Sequence, residues 1–257
     1  MALSLRKLTK SYGPSTQPVL VDLDLSIGDG EFMSIIGPSG CGKSTLCNLV
    51  AGLTAPEQGE IVLDGRMIQG CLGHVGYMPQ KDLLLPWRTL LDNVIIGLEV
   101  IGVPKQKARR QGLDQLHHFG LGDFAHHYPH QLSGGMRQRG ALLRTILYGK
   151  QTLLLDEPFG ALDALTRREM HSWLLAVWQE TRNTVLFITH DIDEAILLSD
   201  KVAVMTSRPA RLEQVLSVPF ARPRNAAILL SPPAIDLKRD LIALLDTGIR
   251  STIQVTA

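Results

Sequence analysis

Gly37-Pro38-Ser39-Gly40-Cys41-Gly42-Lys43-Ser44-Thr45 is the stretch on which the fold turns. Ahead of it, Glu31 to Ile36 is a short apolar run of strand length, and behind it Ser44 to Leu53 has helical character. A glycine-rich turn between a strand and a helix is a cradle for phosphate. Glycines at 37, 40 and 42 let successive backbone N–H groups point inward, and the helix N-terminus adds its positive dipole end. In this pattern Lys43 reaches the β- and γ-phosphates, the Ser44 hydroxyl ligates Mg²⁺ and Thr45 caps the loop from behind.

Outward from the loop, the segments at 3–8, 19–27 and 31–36 read as short strands, punctuated by Gly13-Pro14 and Gly28-Asp29-Gly30. Two more strand candidates follow between 59 and 80, with Asp64-Gly65 as a hairpin-type turn. From about 84 to 150 the chain is rich in helix formers over 89–102, 105–121 and 134–149 and lacks a clear strand, so it reads as a helical insertion. Beyond 152, buried strands at 152–158, 184–191 and 201–206 alternate with helices at 165–181 and 191–200. Continuous apolar strands alternating with helices indicate an α/β fold with a mainly parallel sheet. The tail carries Pro209, Pro219, Pro223, Pro232 and Pro233, then a helix near 235–248.

Two further stretches carry chemistry. Thr152 to Pro158 is an apolar strand ending in Asp156 and Glu157. Open α/β sheets bind ligands beyond the C-terminal ends of their strands, so Asp156 is placed to hold Mg²⁺ and Glu157 to orient or deprotonate an attacking water. Leu132-Ser133-Gly134-Gly135-Met136-Arg137-Gln138-Arg139 opens a helix and makes a second anion-friendly N-terminus. By itself the string also reads as an ordinary N-cap followed by flexible glycines; with one phosphate loop already present, the economical use for a second anion-friendly helix end is contact from Ser133 to the γ-phosphate held by another copy of the chain.

Composition sets the frame around these motifs. The 257 residues are 45% apolar and 20% charged, with 26 basic against 25 acidic side chains. That excludes a disordered chain and gives no global pull toward nucleic acid. A chain of this length buries roughly 70–75% of its unfolded surface, enough for a core without staples. Cys41, Cys47 and Cys71 are an odd and sparse set, which fits a reducing compartment. No run reaches the roughly 18 apolar residues of a membrane span and no signal peptide opens the chain, so a cytosolic location is expected, with any membrane span supplied by another polypeptide. His117, His118, His126, His127 and His130 read as solvated surface rather than a metal centre. The helix end beside Cys41 is expected to lower its thiol pKa, and alkylation there to block nucleotide binding.

The phosphate loop, then 132–139, then 152–158, then Gly160-Ala161-Leu162-Asp163 and Phe187-Ile188-Thr189-His190-Asp191, in this order and spacing, resemble the nucleotide-binding subunit of ABC transporters over residues 3–220. The resemblance implies a P-loop NTPase (RecA-like) core with a parallel sheet, an N-terminal antiparallel β subdomain and the inserted α-helical subdomain at 84–150, all in one ATPase domain over 1–257 with a C-terminal extension at 206–257. It implies that Tyr12 stacks on adenine. Gln80, closing Tyr77-Met78-Pro79-Gln80, resembles the hinge glutamine that touches Mg²⁺ and the attacking water. Asp163 resembles the acidic residue that crosses the dimer interface, and His190 the switch histidine that contacts the γ-phosphate and holds Glu157 and water. Ser133, Gly134, Gly135 and Gln138 would act in trans. Two departures stand out. Gly140 occupies a place where the family usually has an apolar residue, and Gly costs about 1 kcal/mol inside a helix; it either loosens the helix or permits close packing. The roughly 50 residues after Met205 are too few for an added regulatory domain.

The resemblance further implies two ATPase copies, or a paired ATPase subunit, closing head to tail on two ATP molecules with Mg²⁺. Integral membrane permease subunits and, indirectly, a periplasmic or extracellular solute-binding protein complete the partners, and the chain sits peripherally on the cytoplasmic side of the membrane. The docking surface is expected at Lys81 to Thr89, whose apolar and aromatic content exceeds that of an ordinary exposed loop. Residues 83–94, with 78–82 before them, resemble the importer branch for nitrate, sulfonates, taurine and similar small solutes, which shares that stretch with importers of pyrimidine precursors. The alternative is a soluble ABC ATPase acting on nucleic acid or ribosomes. Against it, the chain has one nucleotide-binding unit, no heptads and no CxxC pair. A dead nucleotide site is opposed by Lys43, Asp156, Glu157 and His190.

Overall fold

The computed structural model describes residues 2–13, 17–68, 73–160 and 162–253, the last five by backbone alone. Pro14, Cys71 and Ala161 lie outside the described residues. Strands β1 (Leu3–Lys10), β2 (Leu20–Ile27), β4 (Gln58–Leu63) and β5 (Arg66–Ile68) form an antiparallel sheet of order β2-β1-β4-β5. Asp64 and Gly65, at φ 50° and 76°, close the β4–β5 hairpin, the twist that Asp-Gly turns supply.

The second sheet has the order β10-β9-β3-β8-β7-β6. Within it β3 (Phe32–Ile36), β6 (Gly76–Met78), β7 (Thr152–Asp156), β8 (Thr184–Ile188) and β9 (Lys201–Met205) are parallel. Every residue of β3, β7 and β8 is buried, which is why they read as unbroken apolar runs. Met33 and Ile35 of β3 face the core under the small sheet and α1 (Lys43–Val50), while Phe32 and Ile36 face the helices on the other side.

Between β6 and β7 lie α2 (Leu90–Val94), α3 (Ile96–Val100), α4 (Lys105–His118) and α5 (Gly134–Leu147); α6 (Ala164–Thr181), α7 (Ile192–Leu198) and α8 (Pro232–Ile253) follow. The helical run expected over 89–102 is two five-residue helices meeting at Ile95, where Val94, Ile95 and Ile96 put three β-branched side chains in succession. The last helix starts at Pro232, earlier than expected, because proline fits a helix's first turn, where no intrahelical N–H bond is lost. β10 (Leu212–Ser217), antiparallel along the β9 edge, was not anticipated.

Gly140 resolves in favour of close packing. A Cβ there would lie 2.6 Å from Leu90 Cδ1, so the glycine lets α5 approach α2. Gly140→Val should therefore destabilise the chain by about 1–3 kcal/mol through overpacking, read as a lower urea midpoint at unchanged slope. Gly140→Ala should come out near neutral, since a gain of about 1 kcal/mol in helix propensity opposes the displacement of Leu90.

The five parallel strands end on one edge. Loop 37–42 follows β3, Gln80 follows β6, Glu157 follows β7, His190 follows β8 and Arg208 follows β9.

Candidate functional site

Those strand ends line an open pocket of about 520 Å³ that gathers Ser39, Lys43, Ser44, Gln80, Glu157 and His190 with further residues of the loop. Gly42, at φ 127°, is the N-cap of α1, and a Cβ on it would fall 2.9 Å from both Val19 and Leu20 side chains. The start of β2 thus presses on the loop, and only glycine fits there. The buried Lys43 Nζ donates to Gly37 O (2.8 Å) and Pro38 O (3.0 Å), folding the ammonium across the loop. Tyr12 is exposed beside the loop; its hydroxyl donates to Thr45 Oγ1 at 3.4 Å and Lys10 Nζ lies 5.7 Å from its ring centroid.

Asp156 is 2% exposed at the end of β7. Burial pushes its carboxyl above the usual range, and a hydrogen bond from Ser44 opposes this. Ser44 and Gln80 line the pocket and the buried Asp156 carboxylate is hydrogen-bonded to Ser44; a carboxylate, a hydroxyl and an amide oxygen are hard donors that fit Mg²⁺. Glu157 takes the left-handed backbone region at φ 48°, which costs a non-glycine residue roughly 1–2 kcal/mol. Its N–H donates to Ile188 O (2.9 Å) and its carbonyl accepts from Gln138 Nε2 (3.3 Å). So held, Glu157 Oε2 accepts from Gln80 Nε2 at 3.0 Å and lies 3.5 Å from His190 Nδ1.

Three expectations change. Gln138, expected to act on a partner's nucleotide, is buried and bonded to its own chain's Glu157, because it lies on the inward face of α5. Cys41 is buried, and desolvation raises its thiol pKa in spite of Lys43, so the lowering by the helix end does not prevail. Leu84, within the expected docking stretch, is buried in the helical core, and only part of that stretch faces outward.

Ser133 is the exposed N-cap of α5, its Oγ accepting from Met136 N at 3.2 Å, with Gly134 and Gly135 opening the helix. Gly135 packs under Leu162. Asp163 caps α6, accepting from Leu165 N, Thr166 N and Thr166 Oγ1; the Thr166 hydroxyl, then the backbone donors, hold its carboxyl below the usual range. These two caps stand outside the pocket that gathers Lys43 and Glu157. His117, His118, His126 and His130 are exposed and His127 half-buried.

Arg208 is the pocket residue that the sequence reading missed. It follows β9, which pairs in parallel with β3, so the rule that ligands sit beyond strand C-termini pointed to it.

The sequence profile of the ABC transporter family matches residues 20–160. An uncharacterized ABC transporter ATP-binding protein of Methanocaldococcus jannaschii is 41% identical over 225 residues, covering 87% of this chain and 84% of that protein. The formylaminopyrimidine import ATP-binding protein ThiZ of Halalkalibacterium halodurans is 40% identical over 245 residues, 95% of this chain and 96% of that one. The taurine import ATP-binding protein TauB of Yersinia pestis is 43% identical over 206 residues, 80% and 81% of the two chains. Among solved structures, an ATP-binding cassette seen as a dimer in a post-hydrolysis state with ADP and Pi superposes with a TM-score of 0.77 at 30% identity, over 85% of this chain and all of that one. A phosphate cradle, a buried carboxylate and a Glu157 oxygen shared by two loops, on a chain with these relatives, lead to one assignment: the chain belongs to the ABC transporter family, as its ATP-binding ATPase subunit.

Proposed function

We propose that the chain powers an importer, with two copies closing head to tail on two ATP molecules and passing that motion to separate permease subunits. The observation that carries the reading is the Glu157 oxygen held between Gln80 and His190 at the mouth of the phosphate pocket. Phosphates lie against the N–H groups of Gly37 to Thr45, with Lys43 turned to the outer phosphates and Tyr12 under the base. Ser44, Asp156 and Gln80 would hold Mg²⁺, which would neutralise charge on the phosphate oxygens. Glu157 orients the attacking water and accepts its proton, while His190 keeps water and γ-phosphate in line. Ser133, Gly134 and Gly135 meet the γ-phosphate of the opposite copy, and Asp163 lies at the interface. The solved relative is a dimer, which supports two copies per assembly.

Among the described residues no helix is long and apolar enough to cross a membrane. An importer reading pairs the chain with a separate permease, and the likeness to import ATP-binding proteins supports a place on the cytoplasmic face of the membrane. Residues 84–150 form the helical subdomain that docks. Within the expected docking stretch, Trp87 is 71% exposed and Leu83 is also outward, large apolar groups that a partner would cover. The solute is nitrate, a sulfonate, taurine or a similar small solute; relatives named for import of taurine and of formylaminopyrimidine support uptake of a small solute and do not favour action on nucleic acid. Solute capture outside the cell then falls to a binding protein.

The test is co-expression with permease subunits encoded beside this chain. Two copies of the chain should co-purify per permease pair, with ATP-dependent solute uptake in vesicles. Trp87→Ala should weaken that association by at least about tenfold, as loss of a buried aromatic anchor does, with its thermal midpoint retained. Failure to associate with any permease, together with turnover stimulated by RNA or ribosomes, would replace the importer reading.

A further inference from the structure

Glu194, on α7, is buried at 6% exposure and belongs to none of the motifs above. Its Oε2 accepts from Thr189 Oγ1 at 2.6 Å, and that hydroxyl accepts from Asp191 N at 3.0 Å. Thr189 and Asp191 flank His190. The Asp191 carboxylate caps α7 by accepting from Asp193 N and Glu194 N. The other oxygen of Glu194 lies 3.2 Å from His171 Nε2 and 3.8 Å from Arg167 Nε, both on α6. The His171 ring meets Phe159 edge-on at 5.0 Å, and Phe159 is two residues beyond Glu157. His190 is 64% exposed at its side chain, so its position depends on the buried residues at either side of it.

We propose that Glu194 is a positioning residue for ATP hydrolysis: its carboxylate pins the Thr189–Asp191 turn, and so His190, at its distance from Glu157, and ties that turn to the helix that Asp163 begins. The proposal rests on the reading of His190 given above. A buried carboxylate is a poor way to stabilise a core, since an apolar residue of similar volume does as well or better. Each oxygen of Glu194 is used instead to join elements that carry the site: Thr189 beside His190 on one hand, and α6 on the other. Burial acts to raise its carboxyl, yet hydrogen bonds from His171 and Thr189 and the nearby Arg167 guanidinium hold it below the usual range, so it is anionic at neutral pH. The Phe159–His171 contact extends the same chain of contacts to the Glu157 strand end. Movement of α6 at a closing dimer interface would thereby reach His190 without passing through the nucleotide.

The test uses the purified chain with Mg-ATP and reads kcat, KM, nucleotide Kd and thermal midpoint in Thr189→Val, Thr189→Ser and Glu194→Leu, each also combined with His190→Ala. Thr189→Val and Glu194→Leu should lower kcat on the order of tenfold to a hundredfold, the scale of an ångström-level misplacement, with nucleotide Kd within twofold and the thermal midpoint retained. Thr189→Ser keeps the hydroxyl and should recover kcat. In the His190→Ala background neither change should lower kcat further. Parental kcat in Thr189→Val while His190→Ala is impaired would overturn the positioning role alone. Equal losses in both backgrounds would overturn it too, since the effect would then bypass His190. Parental turnover in His190→Ala itself would sink the reading of His190 and remove the object that Glu194 positions.

Discussion

Glu157→Gln should lower turnover about a thousandfold, the worth of a well-placed general base, leave ATP affinity close to that of the parent and accumulate an ATP-dependent dimer. The substitution is nearly isosteric, and Glu157 meets its surroundings in two separable ways. Its backbone is held by Ile188 O and Gln138 Nε2, and neither contact involves the side chain. Its carboxylate alone faces Gln80 Nε2 and His190 Nδ1. Gln cannot take a proton from water, yet its amide oxygen can still accept from Gln80 and stand beside His190 where Glu157 Oε2 does, so the site is held while the base is lost. The Lys43 and loop contacts on the phosphate side stay as they are, so closure on ATP survives while the step that would undo it is lost. Phosphate release and size-exclusion with Mg-ATP against ADP check both halves; parental turnover would remove Glu157 from its assigned role.

How much of this was legible in the sequence depends on whether local pattern or three-dimensional register decided the matter. The buried strands β3, β7 and β8 were readable because both faces are covered, which leaves an apolar run with sharp ends. The phosphate loop was readable because glycine spacing there follows from backbone geometry. β10 was not: an edge strand with Leu212, Glu213, Gln214 and Val215 half or fully exposed, set between Pro209 and Pro219, looks like a loop. Gln138 was misplaced because the motif string gives no helical phase; only the face of α5 that packs on the core shows that this side chain turns inward to Glu157. For Cys41 the reading weighed the helix dipole and left out burial, which outweighs it. Gly140 was seen as a departure with two meanings, and the choice required Leu90 across the interface. Glu194 was missed because its role depends on His171 and Arg167 of α6, which lie beside it only in space, and Arg208 because it belongs to none of the motifs and reaches the pocket only through the pairing of β9 with β3.

Lys43→Ala should remove ATP binding rather than turnover alone, with affinity falling on the order of a hundredfold or more, about 3 kcal/mol, as when one member of a desolvated charge pair is truncated. Lys43 Nζ is buried and satisfied by two carbonyls of its own loop, Gly37 O and Pro38 O. Those carbonyls are neutral acceptors, so exchanging them for phosphate oxygens adds the attraction of a full negative charge to hydrogen bonds whose donor is already ionised. Alanine forfeits that gain. Lys43→Arg should not rescue it, because a planar fork cannot fold back onto two carbonyls in a turn shaped for a point charge. The increase in thermal midpoint that ATP gives the parent should disappear in Lys43→Ala, while the midpoint without nucleotide stays close to the parent's and shows that the fold is intact. Set beside Glu157→Gln, the variant separates two stages of one cycle. Loss of Lys43 should remove the nucleotide and with it the dimer; loss of the Glu157 carboxylate should keep both and stop the reaction between them. An ATP-dependent dimer in Lys43→Ala would mean that the backbone N–H groups of the loop suffice to hold the phosphates, and the lysine would then have to be assigned to the transition state alone.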